Sequence, residues 1–397
     1  MRHSTRTLQH AVFEGKHKRR SRARRPAVEG LEERALLSAA HDLAVHKHFA
    51  VPDPKPVSGY QQTNLVSDIP KEKAQITDPS LVNPWEINFP QDQHDDPYVW
   101  VADQGAGVAT MYKISSDGST VTKSPLTVTI PTVAPGKQTG PTGVVYNITE
   151  EFSIPGTGGA SVPAMYIFDT LQGTIEGWNP GSLGGNSSAE IMVNNSSTAE
   201  YTGLAAGNVG GQHYIYAAND KASPGIEVYN GSFDRVTLAG NFVDPKLPKG
   251  FTPYGVHDLG NVLIVTYRGP KFQGGAVAEF TNDGTFVKQI ASNGASGPLQ
   301  SPWGVDQAPA GFGKFSNDLL VGNFSTGQID AYNFSGRFKG KLANPKGKPL
   351  TIPGLRTIHF GSGLGASGPK IALLFTAGID NGNDGLYGTI TPVSKPT

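Results

Sequence analysis

Glu86 stands directly after Trp85 in the run NPWEINF, a carboxylate placed inside what reads as an innermost β-strand. Asp103, Asn219 and Asn323 each close a strongly apolar run, in VWVAD, IYAAN and LLVGN. Carboxylate and amide oxygens held on a rigid frame are what a hard cation such as Ca²⁺ takes, about six to eight at a time. On that reading Glu86, Asn219 and Asn323 are metal ligands, Glu86 and Asp103 are the catalytic candidates with Asp103 as a base, and calcium is the cofactor. Gln104, Asp169, Thr170, Asp220, Arg268, Asp380, Asn383 and Asp384 fall in corresponding turns, so that with Asp103, Asn219 and Asn323 they would form one ligand face. The competing reading is local. Asp and Asn are selected by tight turns because they bond their own backbone and tolerate left-handed conformations, and Glu86 would then be an exposed strand-edge residue with no cofactor needed. Both readings stand on the sequence alone.

Other groups carry less. His257 and His359 fall in the innermost strands of non-adjacent units, which favours two separately hydrogen-bonded imidazoles over one shared metal. The acidic run DQHDD at 92–96 lacks the loop glycine and terminal Glu of an EF-hand and reads as a solvated hairpin loop. His41, His46 and His48 have a spacing that could grip a metal, against the alternative of a flexible linker with nothing to fix their geometry. The chain has no Cys, so disulfides, thiolate zinc sites and cysteine nucleophiles are excluded together. No G-x-S-x-G, P-loop, H-E-x-x-H or strand-to-helix G-x-G-x-x-G is read, and no nucleophile–base pair.

What must position these groups is a repeat. Ser301–Lys341 reads as four short strands in series, Trp303–Gln307, Asn317–Gly322, Gln328–Asn333 and Arg337–Lys341, separated by Gly, Asn and Pro turns. The unit recurs six times, with innermost strands NPWEINF, GPTGVVY, YTGLAAG, TPYGVHDL, SPWGVDQ and GLRTIHF. Measured at Glu86, Gly143, Gly203, Gly255, Gly304 and Arg356 the steps are 57, 60, 52, 49 and 52 residues. A four-strand repeat of about 40–50 residues, lengthened by loops, predicts an all-β fold: a single six-bladed β-propeller of four-stranded antiparallel blades. The sixth unit ends at GLYGTITP with three strands, and the spare strand Thr63–Ser67 at the other end would complete it beside Leu386–Ile390. Such closure leaves no free edge.

The propeller is expected over 61–393, with a basic, disordered targeting segment and linker over 1–60 and a short tail over 394–397. Lys and Arg number 33, balanced by 33 Asp and Glu. The balance is uneven along the chain: residues 1–34 hold 10 of the basic and 4 of the acidic residues, leaving 23 against 29 in the remainder. A mildly acidic body argues against a nucleic-acid surface, and no apolar run approaches the ~18–20 residues of a membrane helix. A monomer is expected.

Two resemblances follow from these motifs. GLEERALLSAA at 30–40, preceded by the basic run KHKRRSRARR, resembles the L-E-x-R-x-L-L-S-A element near the start of many planctomycete envelope and secreted proteins. It lacks the uninterrupted apolar core of an ordinary signal peptide. The series QTNLVSDIP, GPTGVVYN, FVDPKLPKGFTPYGV, SPWGVDQAPAGFGKFSNDLLVGNF and NDGLYGTITP, over about 61–393, resembles an uncharacterised family of bacterial extracellular β-propellers, NHL-like in type and often bearing a PEP-CTERM sorting signal. The chain departs from that family at Trp85-Glu86, where Trp-Gly is usual, and no such signal is read after the last strand. The resemblance implies an extracellular or cell-envelope protein and no set activity. By analogy, lactonase-like propellers hold a catalytic divalent metal through a Glu at the channel mouth with Asn and Asp partners, the set Glu86, Asn219, Asn323 and Asp103 here. Three readings remain: a binding or scaffold module holding a protein, glycan or small molecule on the channel face, a metal-dependent lactonase-like hydrolase, and a structural envelope protein.

Overall fold

In the computed structural model, which describes residues 57–90, 98–133, 140–221, 225–364 and 366–394, each repeat forms one antiparallel sheet, and six sheets make a propeller. The fifth blade illustrates the unit: Pro302–Gln307, Leu319–Asn323, Ile329–Tyr332 and Phe338–Lys341, in that order from the axis outward. The innermost strands of the other blades are Pro84–Asn88, Pro141–Tyr146, Tyr201–Val209, Thr252–Asp258 and Leu355–Phe360, and each touches its neighbours around the ring. The stretches GLEERALLSAA, His41–His48 and DQHDD lie outside the described residues.

Second strands are apolar on both sides because both of their faces are covered. Leu319 and Val321 enter the buried cluster shared with blade 4, while Leu320 enters the one shared with blade 6, as the period-2 geometry of a strand requires. Six such clusters lie among the described residues, one between each pair of neighbouring blades. A seventh, built from Trp85, Tyr254 and Trp303, lies on the axis.

The last blade is closed from the other end of the chain. Leu355–Phe360, Leu373–Ala377 and Leu386–Ser394 are joined by Val57–Ser67, which pairs antiparallel with Leu386–Ser394 in the register Thr63↔Thr389 and Ser67↔Leu386. The strand is longer than expected: Val57–Tyr60, read from sequence as linker, belong to it. Tyr60 is buried there, because its ring packs on Phe312 and Phe315 and its hydroxyl donates to the Phe312 carbonyl at 2.9 Å. Ile76–Thr77 then runs parallel outside it and covers the edge.

Every innermost strand carries a register shift against its second strand, between Pro84 and Ile87 in blade 1 and between Leu355 and Ile358 in blade 6. The shift aligns Glu86 with Gly143, Gly203, Gly255, Gly304 and Thr357, so the sixth repeat is anchored at Thr357, one residue beyond Arg356. Glycine is needed in this ring because the strands crowd together: a Cβ on Gly304 would lie 2.6 Å from the Arg356 carbonyl oxygen.

Candidate functional site

The first-to-second strand connections and the third-to-fourth turns surround the mouth of an axial cavity of about 1440 Å³. Its inner end is formed by Glu86, Leu204 and Thr357. The axis is filled beyond them. Trp85 stands edge-on to Trp303 (centroids 6.1 Å apart) and to Tyr254 (6.3 Å). The guanidinium of Arg356 lies between Trp85 and Phe324, 3.7 and 3.9 Å from their ring centroids, and donates to the Tyr254 hydroxyl at 2.6 Å. Burial pulls the Arg356 guanidinium below its usual range, with Tyr254 opposing.

The cavity therefore opens on the face opposite the one chosen from the sequence. Asp103, Gln104, Asp169, Thr170, Asn219 and Asn323 are buried, and each has a polar atom engaged close by, although among the described residues Asp103 Oδ1, Gln104 Nε2 and Asp169 Oδ2 make no hydrogen bond. Thr110 donates to Asp103 at 2.6 Å. Asn323 donates to Asp330 at 3.0 Å and accepts the backbone N–H of Gln300 at 2.7 Å. Asn219 does the same with Glu227 and Glu200, at 3.1 Å each. These are clamps that tie each second strand to its third strand and to the chain arriving from the previous blade, which is turn chemistry. Asp220 is bound by Arg268 through two N–H groups at 2.6 and 2.8 Å and by the Thr252 hydroxyl, a junction between blades 3 and 4. Asp380 is exposed, and Asp384 is 3.8 Å from Lys71.

The proposed metal set is likewise not assembled. Glu86 faces the cavity, while Asp103, Asn219 and Asn323 are each held at the second-to-third strand turn of a different blade. Among the described residues no three His, Asp or Glu side chains are grouped to hold a metal ion. Glu86 is buried rather than exposed at an edge. Its Oε2 accepts the Leu204 backbone N–H of blade 3 at 3.4 Å, across the space left by the glycines of blades 2 and 3. Burial, and then the nearby Asp169 carboxyl, holds Glu86 well above the usual carboxylate range. Burial pushes Asp169 up to about 7.

The groups that do meet at the cavity come from equal positions in neighbouring innermost strands, three residues past Tyr254, Trp303 and Arg356: His257, Asp306 and His359. His257 Nε2 is 2.6 Å from the Trp303 carbonyl oxygen. A carbonyl only accepts, so Nε2 carries the proton and Nδ1 is left as an acceptor. Burial lowers His257 to about 4, which keeps this ring neutral. His359 Nδ1 lies 3.0 Å from Asp306 Oδ2, a close contact rather than an aligned hydrogen bond, and the same oxygen accepts the Phe360 N–H at 2.7 Å. The two histidines are thus held separately. The matching position in blade 1 is Asn88, and in blades 2 and 3 it is apolar, Val145 and Ala205. Asp306 was missed in the sequence although it lies in SPWGVDQ; alignment of the six innermost strands in register is the signal that finds it.

No family model matches the chain. Two uncharacterised proteins of Acanthamoeba polyphaga mimivirus are each 28% identical to it, one over 356 residues (84% of this chain and 80% of the relative) and the other over 331 residues (79% and 81%). Among solved structures, a putative oxidoreductase (glucose dehydrogenase) from Thermus thermophilus is 14% identical with a TM-score of 0.46, covering 83% of this chain and all of that one. Virginiamycin B lyase from Staphylococcus aureus is 14% identical with a TM-score of 0.40, covering 84% of this chain and 99% of that one.

Proposed function

We propose that this β-propeller is a binding module that takes its ligand into the axial cavity, entering between the first-to-second strand connections. The observation that carries this reading is convergence: polar side chains from blades 1, 4, 5 and 6 line one blind space of about 1440 Å³, and a cavity with a few convergent polar groups is the default binding site of a fold. A thermal-shift screen of sugars, amines, nucleotides and peptides tests it, run on the native protein and on Ala206→Trp, which fills the cavity wall. A ligand that raises Tm of the native protein and not of the variant is expected. Equal shifts in both, or none in either, would overturn the reading.

A second reading, an enzyme, is favoured by the Asp306–His359 contact, since a carboxylate beside one imidazole nitrogen orients the other for proton transfer. Under it, Asp306→Asn would abolish turnover of a bound ligand while leaving its affinity within about threefold, less than 1 kcal/mol. Placement outside the cytoplasm is proposed from the likeness of GLEERALLSAA and the basic run before it to export elements. Cell fractionation with the N-terminus intact tests it, and a wholly cytoplasmic pool would refute it.

A further inference from the structure

We infer that the ligand of the axial cavity is a neutral carbohydrate, a short oligosaccharide whose hydroxyls meet His257, Asp306, His359 and Glu86 while its C–H faces pack on Tyr146. The inference rests on the reading of this cavity as the binding site and gives that ligand a chemical class.

Charge comes first. Among the described residues lining the cavity there is no Lys or Arg, and phosphate or carboxylate ligands are recognised chiefly by such cations. A cationic ligand is matched no better. Carboxylates at the rim, Glu150 and Asp258, could meet a cation, but deeper in the cavity Asp306 is faced by His359 and Glu86 accepts the Leu204 N–H, so among the described residues the depth of the site holds no carboxylate without a partner. What remains is neutral and rich in hydrogen-bonding groups.

Those groups alternate in kind. His257 offers an acceptor nitrogen because its other nitrogen is committed to the Trp303 carbonyl. Glu86, held by burial well above the usual carboxylate range, presents its carboxyl at the inner end. Gln307 carries an amide with both functions, and Asn88, whose Oδ1 already accepts the Tyr146 N–H at 3.2 Å, adds an N–H donor. A hydroxyl donates one hydrogen bond and accepts others, so a polyhydroxyl ring is satisfied by a wall that mixes donors and acceptors. The remaining wall is apolar and aromatic. Phe89 lies tilted against His359 with centroids 5.0 Å apart, the half-buried Tyr146 lines another part of the wall with its ring 5.3 Å from that of Tyr166, and Val145 and Ala205 continue the surface. The C–H groups of a sugar ring, polarised by their oxygens, pack against the negative face of such rings. The volume exceeds the ~300–1,000 Å³ of ordinary small-ligand pockets, which leaves room for more than one ring.

Calorimetric titration of the full chain provides the test, with a panel of neutral tetrasaccharides of glucose, mannose, galactose and N-acetylglucosamine, tetragalacturonate as an anionic control and spermine as a cationic one. Binding of at least one neutral tetrasaccharide is expected, with affinity unchanged by added salt. Tyr146→Ala and His359→Ala should each weaken it about tenfold, or 1.4 kcal/mol, whereas Tyr254→Phe, beyond the closed end, should not. Binding of only the anionic or cationic probe, or neutral-sugar binding that ignores both cavity variants, overturns the inference. If the thermal-shift screen instead finds a non-carbohydrate ligand that Ala206→Trp abolishes, the binding reading survives and the sugar assignment falls. If nothing binds in either experiment, both fall.

Discussion

Arg356 of the last blade lies with its guanidinium carbon 3.7 Å from the ring centroid of Trp85 in the first blade, so the seam where the ring closes is bridged on the axis by a stacked cation. The second contact with Phe324, at 3.9 Å, makes the stack two-sided. A desolvated cation–π contact contributes ~2 kcal/mol, so Arg356→Ala should cost about 2–4 kcal/mol in denaturant unfolding. Arg356→Met should cost less, because it keeps the volume and removes a buried cation that has no carboxylate partner among the described residues. A larger loss for Met than for Ala would contradict this account.

The clamp at Asn323 belongs to stability. Asn323→Ala leaves the Asp330 carboxylate short of one donor and the Gln300 N–H without its acceptor, a loss of about 1–3 kcal/mol. Calcium should not change that loss, and cavity ligands should bind the folded variant as they bind the native protein. Calcium-dependent rescue of Tm would restore the metal reading.

The buried acids set a pH dependence. In the unfolded chain Asp169 releases its proton near 3.8, while in the fold it holds the proton to about 7. Raising pH through that window therefore favours unfolding. Glu86 and Glu176 are shifted the same way, chiefly by burial. His257 acts oppositely: the unfolded chain binds a proton near 6.5, the fold only near 4, so stability falls as pH drops through that range. Stability should be greatest on the acid side of neutrality and decline above it. Glu86→Gln should flatten the decline, as read by Tm from pH 5 to 9; an unchanged slope would exclude Glu86 as a contributor.

Much of this architecture was legible in the sequence because each blade repeats its own grammar: a Pro or Gly turn, a short bulged strand, a fully apolar strand, a turn rich in Asp or Asn. The spare strand TNLVS pointed to the closure correctly, and only its extension back to Val57 was not legible, since SGYQQ carries no alternation until Tyr60 is placed against Phe312 and Phe315. The site was harder. Asp103, Asn219 and Asn323 advertise polarity at strand ends, but sequence does not say whether such oxygens face a ligand or a backbone amide. His257, Asp306 and His359 lie 49 and 53 residues apart, the repeat period itself. Their common register becomes readable only when the bulge in every innermost strand is aligned.

Removal of the closing strand should be far more damaging than any point change. Deleting 57–67 uncovers the Leu386–Ser394 edge along its length, and the expected outcome is loss of a single cooperative melting transition with binding of a hydrophobic dye. Adding the 57–67 peptide in trans should recover part of the transition. A sharp, unshifted melt of the deleted protein would show that the strand is dispensable.

That same pairing has a consequence for biosynthesis. The Ser67 hydroxyl donates to the carbonyl of Gly385, 318 residues later, so Val57–Ser67 leaves the ribosome ahead of all six innermost strands and finds its place only after the sixth. Five blades can assemble as they emerge, each on its predecessor, while Val57–Ser67 stays unpartnered until Leu386–Ser394 has been translated. Only a product that reaches Leu386–Ser394 can seal the ring: a polypeptide terminated before it keeps an unpaired β-edge, the kind of surface that chaperones and proteases act on.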